Sequence, residues 1–346
     1  MNKETQRETE YPTSLADILD SSELILIDGS INSTESFLPS IYDARTFSGL
    51  DLDLLENETD ALRLVIEFLR NPNVFTIPEI TQESRGYHEG IQSKIEFLAI
   101  RERELKKPLG KVNRNYKKFK KQKWNNSDRK NRKRQALEDL SILTQQLTQG
   151  LERSELRIQD PRYQPLVDMV TFLSKELDLK NPTKDHYYDN VLKNPYNSNV
   201  DEKLIATAYL IALNSVLPLK STPQNQNNGN PHNNGHSKNT PLPTIQKSIT
   251  IMTADGDLKR LLGVTPGPMA SPEFSPYNGS FRRAIKEHKF MFHFGATNYY
   301  TPQKEFEIHL TDTPFRVYRG KTQQQSNQIR NQLADMWRDF ARAYTR

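Results

Sequence analysis

Four apolar positions in a row, Leu24 to Ile27, end abruptly on Asp28, Gly29 and Ser30. A run apolar at every position, rather than at every second one, predicts a strand covered on both faces, as in the centre of a parallel sheet. Ser248–Met252, with Ile249, Ile251 and Met252, is another buried-strand candidate and runs into Thr253-Ala254-Asp255-Gly256-Asp257, with a short helix expected from Leu258 to Leu262. A shorter strand is expected at Asn73–Ile77. Phe290, Phe292 and Phe294 then alternate as a strand. Phe306, Ile308 and Leu310 alternate again, and a turn at Thr311–Pro314 into Phe315–Arg319 predicts an edge hairpin.

Between these runs the period changes to that of a helix. Leu62, Val65, Ile66 and Leu69 predict a helix over Thr59–Arg70, preceded by irregular chain to about Asn57 and stopped by Asn71, Pro72 and Asn73. Thr76-Ile77-Pro78-Glu79 reads as a capping box opening the next helix, which continues through Ile91, Ile95 and Leu98 towards Leu105. Further helices are expected at Gln135–Leu151, at Pro165–Leu177 and from about Asp201, where Leu204, Ile205, Ala208 and Ala212 share a face. The last, Gln323–Tyr344, carries Ile329, Leu333, Trp337, Phe340 and Tyr344 along one stripe, as a helix packed on a core does. Strands alternating with helices predict an α/β fold with a mostly parallel central sheet.

Composition sharpens this picture in three ways. With no cysteine among 346 residues, disulfides, thiolate metal sites and cysteine nucleophiles are excluded. No apolar run is long enough to span a bilayer and the first residues lack a signal-peptide core, so a cytoplasmic protein without a membrane partner is expected. Finally, the net charge of +5 is unevenly spread: residues 101–134 hold 16 Lys and Arg against 3 acids, leaving the rest of the chain at −8. That segment interleaves Tyr116, Phe119 and Trp124 with its cations, a mixture suited to phosphate contact and base stacking. Lys117, Lys118, Lys120, Lys121, Trp124, Arg129, Arg132 and Arg134 are the expected RNA contacts. The Asn-rich stretch 221–243 reads as a flexible loop, and its His232 and His236 lack the further ligands a metal site needs. The expected organisation is a polar lead-in at 1–22, then one domain over 23–346 with a basic insertion at 106–134 and the Asn-rich loop.

Asp28, Glu83, Asp201 and Asp255 each fall at a strand end or in the opening turns of a helix, points that a βαβ arrangement gathers at one edge of the sheet. Glu83 stands one turn beyond Glu79, whose capping duty leaves Glu83 as the acid able to face the strand ends. Clustered carboxylates repel unless hard cations such as Mg²⁺ or Mn²⁺ neutralise them, and such ions support phosphodiester hydrolysis.

ILIDGS at 25–30, VFTIPEITQES at 74–84, VDEKLIATAYLIA at 200–212 and IMTADGDL at 251–258 together resemble the PIN-domain nucleases. The resemblance implies a three-layer α/β/α PIN-like domain and a metal-dependent endoribonuclease. It makes Asp28, Glu83, Asp201 and Asp255 the catalytic acids, Asp257 a further metal ligand, and Ser30 a holder of water. Glu79 and Glu202 are the neighbouring acids with which Glu83 and Asp201 are most easily confused. Two alternatives remain open: a non-catalytic RNA-binding protein on the same scaffold, and a haloacid-dehalogenase-like phosphatase, whose second Asp is replaced here by Ser30. Self-association also stays open.

Overall fold

The computed structural model describes residues 22–32, 41, 43–106, 120–176, 199–216, 242–243, 249–253, 258, 261, 288–292, 304–308 and 321–344. Five strands form one sheet: β1 (Leu24–Ile27), β2 (Val74–Phe75), β3 (Ile249–Met252), β4 (His288–Phe292) and β5 (Lys304–Ile308). Their order is β2-β1-β3-β4-β5, parallel throughout except for the β4–β5 pair. With six α-helices among the described residues, this is an α/β fold with a mostly parallel sheet. Every residue of β1 and β3 is buried, so both faces of the sheet centre are covered, as the unbroken apolar run of β1 requires. In β3 the polar Thr250 is buried against Ser22, 2.8 Å away. The register pairs Leu24 with Ile249 and Ile27 with Met252, which brings the residues following the two strands, Asp28 and Thr253, side by side.

Lys304–Ile308 pairs with His288–Phe292, and Phe315–Arg319, its expected hairpin partner, lies outside the described residues. So do Phe281–Lys286, the Asn-rich loop up to its last two residues, and the lead-in up to Ser21.

Helix α1 (Leu52–Phe68) begins seven residues earlier than its apolar pattern indicates. The Asp51 carboxylate accepts from the Asp53 and Leu54 amides and starts the helix there. Its polar interior, Glu58 and Thr59, is nonetheless buried: Thr59 bonds back to the Leu55 carbonyl, and Glu58 accepts from Tyr87.

Helix α2 (Pro78–Lys106) packs antiparallel on α3 (Lys120–Arg153). A polar seam joins them: Ser84 meets Thr148 at 2.9 Å, His88 meets Thr144 at 2.9 Å, Gln92 donates to Ser141, and Lys130 pairs with Glu102. Around the seam Ile91 and Leu98 pack with Leu137, Leu140, Leu147 and Leu151. The expected helix from Gln135 is therefore only the inner part of α3, which extends back through the basic segment to Lys120.

Helix α4 (Tyr163–Glu176) packs on α5 (Val200–Val216), and α6 (Gln323–Tyr344) packs on α4. The α6 stripe is core as expected, with Trp337 tilted against Tyr209. Helix α5 goes further than its pattern: Leu204 to Leu213 are all buried, so the helix is enclosed on every side. Buried Arg162, 2 % exposed, is held by Asp160 at 2.6 Å and by Asn214. Among the described residues, no helix is long and apolar enough to cross a membrane.

Candidate functional site

Asp28 ends the central strand and is only 4 % exposed. Its backbone amide still belongs to the ladder, donating to the Met252 carbonyl at 2.9 Å, and this holds the residue rigidly at the sheet edge. A carboxylate so placed needs donors. The Gly29 amide donates to Oδ1 at 2.6 Å, while the hydroxyls of Ser30 and Thr253 donate to Oδ2 at 2.5 and 2.6 Å. Ser30, expected to hold a water, thus spends its proton on Asp28. Thr253 was named in the sequence only as a strand end, and the in-register pairing of β1 with β3 is what makes it the partner of Asp28.

Glu83 comes to the same place from the opening turns of α2. Its Oε2 lies 2.5 Å from where a Cβ on Gly29 would stand, so any larger residue there would push the Glu83 carboxylate aside. Glu83 is half-buried and has no hydrogen-bond or ion-pair partner among the described residues. Its carboxyl is pushed up to about 8, first by burial, then by the negative charges of Asp28 and Glu79. In the absence of a cation this acid is protonated at neutral pH.

Glu79 overturns the capping-box expectation. Thr76 donates to Ser154 and accepts from Leu156 through its backbone, and its hydroxyl donates to the Ile27 carbonyl. It is therefore tied to β1 and to the chain just after α3 rather than capping the helix, and Ile77 supplies the first carbonyl of α2. The Glu79 carboxylate reaches instead to the Lys203 ammonium at 2.5 Å. That ion pair, with the Tyr163 hydroxyl donating to the Lys203 carbonyl at 3.3 Å, seats the first turn of α5 beside the first turn of α2.

Asp201 and Glu202 both lie in that first turn of α5. Asp201 is half-buried, whereas Glu202 is 1 % exposed, so Glu202 is the more enclosed of the two. Asp255 and Asp257 lie outside the described residues. Among the described residues, no three His, Asp or Glu side chains form a group that could hold a metal ion. The pair the structure does assemble is Asp28 with Glu83, flanked by Glu79 and its lysine. Its donors are all carboxylate and hydroxyl oxygens, the set that suits Mg²⁺ or Mn²⁺ rather than a soft metal.

The expected RNA contacts divide. Lys117 and Lys118 lie outside the described residues, and Lys120, Lys121 and Trp124 fall in the first turns of α3. Arg129 is exposed. Arg132 and Arg134 already have intramolecular partners, Glu56 at 3.0 Å and Glu138 at 2.8 Å, and the Arg134 guanidinium also lies over the Phe47 ring. Lys133 is buried, donating to the Ser48 carbonyl. The inner end of the basic run thus anchors α3 to the body. Compared with protein-family models, with characterised proteins and with solved structures, the chain matches none.

Proposed function

We propose that this protein is a metal-dependent endoribonuclease on a three-layer, PIN-like α/β/α scaffold. The observation that carries the reading is the Asp28–Glu83 pair. A half-buried carboxyl without a partner, pressed against a glycine beside a second, fixed carboxylate, is costly for the fold and makes sense where a divalent cation completes it. Asp28 and Glu83 would hold the cation, with Asp201, Asp255 and Asp257 as the further acids assigned by the sequence motifs. A bound divalent ion supplies activation of water and charge stabilisation at a phosphodiester.

The chain's own residues have separable tasks. Ser30, Thr253 and the Gly29 amide fix the Asp28 carboxylate so that it does not reorient when charge arrives. Glu83 would release its proton to solvent in order to serve as a ligand. Lys203 neutralises Glu79 and so limits the negative charge that an approaching phosphate meets.

The alternatives fare less well on the same geometry. A phosphatase of the haloacid-dehalogenase kind needs a second Asp two positions after the first, and here Ser30 stands there and donates to Asp28. A non-catalytic RNA-binding protein gives no reason for Glu83 to stand where it does. Purified protein is expected to cut RNA with Mg²⁺ or Mn²⁺, to stop with chelator, and to lose at least a hundredfold in rate on Asp28→Asn. Cleavage by Asp28→Asn at the wild-type rate would dismiss the site. RNA binding with no metal-dependent cleavage would favour the binding protein.

A further inference from the structure

The register of α2 against α3 fixes where the positive charge stands relative to the acids. Ser84 faces Thr148, His88 faces Thr144, and Glu102 faces Lys130, so each step along α2 away from Glu83 is matched by a step back along α3. At 1.5 Å per residue, Arg129 stands about 28 Å, and Lys120 about 42 Å, along the axis from the level of Ser84. Helix α3 also outruns its partner: its first turns extend roughly 9 Å beyond the level of Lys106, where α2 ends.

Charge is graded along the same axis. At the acid end α3 closes with Glu152 held by Arg85. In the middle, Arg132, Lys133 and Arg134 are engaged with Glu56, the Ser48 carbonyl and Glu138. Between Lys120 and Lys130 the sequence has five Lys and Arg against one acid, Asp128, with Trp124 among them. Arg129 is exposed and has no partner among the described residues.

We propose that the far end of the α2–α3 pair, Lys120 to Arg129 on α3, is a second RNA-gripping surface roughly 30–40 Å from Asp28 and Glu83. It rests on the nuclease reading for what happens at the acid end, and its binding function stands independently of it. A regularly spaced polyanion fits this arrangement better than an acidic protein does. At roughly 3.4 Å per stacked nucleotide, a strand of about 12 nucleotides spans the two places. Shorter RNA touches only one of them. Longer RNA touches both, and its second contact is made at high effective concentration.

The test uses the full chain and oligouridylates of 6 and 24 nucleotides, comparing wild type with the combined variant Lys120→Gln, Lys121→Gln, Lys123→Gln and Arg129→Gln. In metal-free buffer the variant is expected to bind the 24-mer at least tenfold more weakly. The slope of log K against log salt should flatten by about three units, roughly 0.7 for each lost contact. With Mn²⁺, the ratio of kcat/KM for the 24-mer over the 6-mer is expected to fall at least tenfold in the variant. Unchanged 24-mer affinity overturns the surface, and loss of polyglutamate binding instead would assign it to an acidic polypeptide. Reduced 24-mer affinity with an unchanged length ratio overturns the separation, because the grip would then lie next to the cut. If wild type cuts neither RNA while the affinity loss holds, the nuclease reading fails and the surface remains.

Discussion

Replacing Glu83 by Gln should make the metal-free protein more stable and the metal-bound protein impossible to form properly. The unfolded chain ionises this carboxyl near its model value of 4.5, whereas the folded chain holds the proton up to about 8. Between those values the unfolded state binds fewer protons, so wild-type stability falls as pH rises through the window and levels off above it. At about 1.4 kcal/mol per pH unit the full penalty approaches 5 kcal/mol, with about 2 kcal/mol already present at pH 6. Gln has no proton to lose and escapes this slope.

The assay is chemical denaturation of both proteins from pH 4.5 to 9 in chelator, followed by titration with Mn²⁺. The stability difference between variant and wild type is expected to grow steadily in the variant's favour up to pH 8. Mn²⁺ should then reverse the order by stabilising wild type alone. Wild-type affinity for Mn²⁺ should itself rise about tenfold per pH unit below 8, since binding must expel the Glu83 proton. A variant-minus-wild-type difference that is flat with pH would refute the reasoning, because Glu83 would then ionise alike in both states.

Two further substitutions probe the same corner. Gly29→Ala places a methyl 2.5 Å from the Glu83 Oε2. The flexible carboxylate should yield at about 1 kcal/mol of stability, and Mn²⁺ affinity by calorimetry should drop at least tenfold; unchanged affinity would show that Glu83 is not a ligand. Thr253→Val keeps the shape but removes a donor from buried Asp28. It should cost about 1.5–3 kcal/mol by urea denaturation at pH 7, and no loss would mean that the hydrogen bond contributes nothing.

The parts of this architecture legible in the sequence are those where one residue's surroundings are set by its neighbours in the chain. β1 was readable because a strand buried on both faces leaves an unbroken apolar run, and Asp28 stood out as the point where that run stops; β3 was readable from Ile249, Ile251 and Met252 despite Thr250. The final helix matches its expected bounds because an unbroken stripe from Ile329 to Tyr344 admits one reading. Glu83 was found by helical spacing from Glu79, although the reason given for setting Glu79 aside was mistaken. The T-x-x-E pattern could not reveal that the Thr76 backbone is tied to Ser154 and Leu156, nor that the partner of Glu79 lies 124 residues away. The outer half of α3 was hidden for a different reason. Its first turns carry no apolar stripe, and among the described residues no helix runs beside them, so its charges read as an insertion rather than as part of a long helix.

The bond between Asp28 and Thr253 joins residues 225 positions apart, and β1 must also find β3 across that interval. On the ribosome, at 5–20 residues per second, the first acid emerges about 10–45 s before the threonine that fixes it. Throughout that interval β1 has an open edge where β3 will pair. The Asp28 corner therefore cannot be completed while most of the message is still being read. Under the proposed function, synthesis order would itself delay activity, with no inhibitor needed, until the sheet closes.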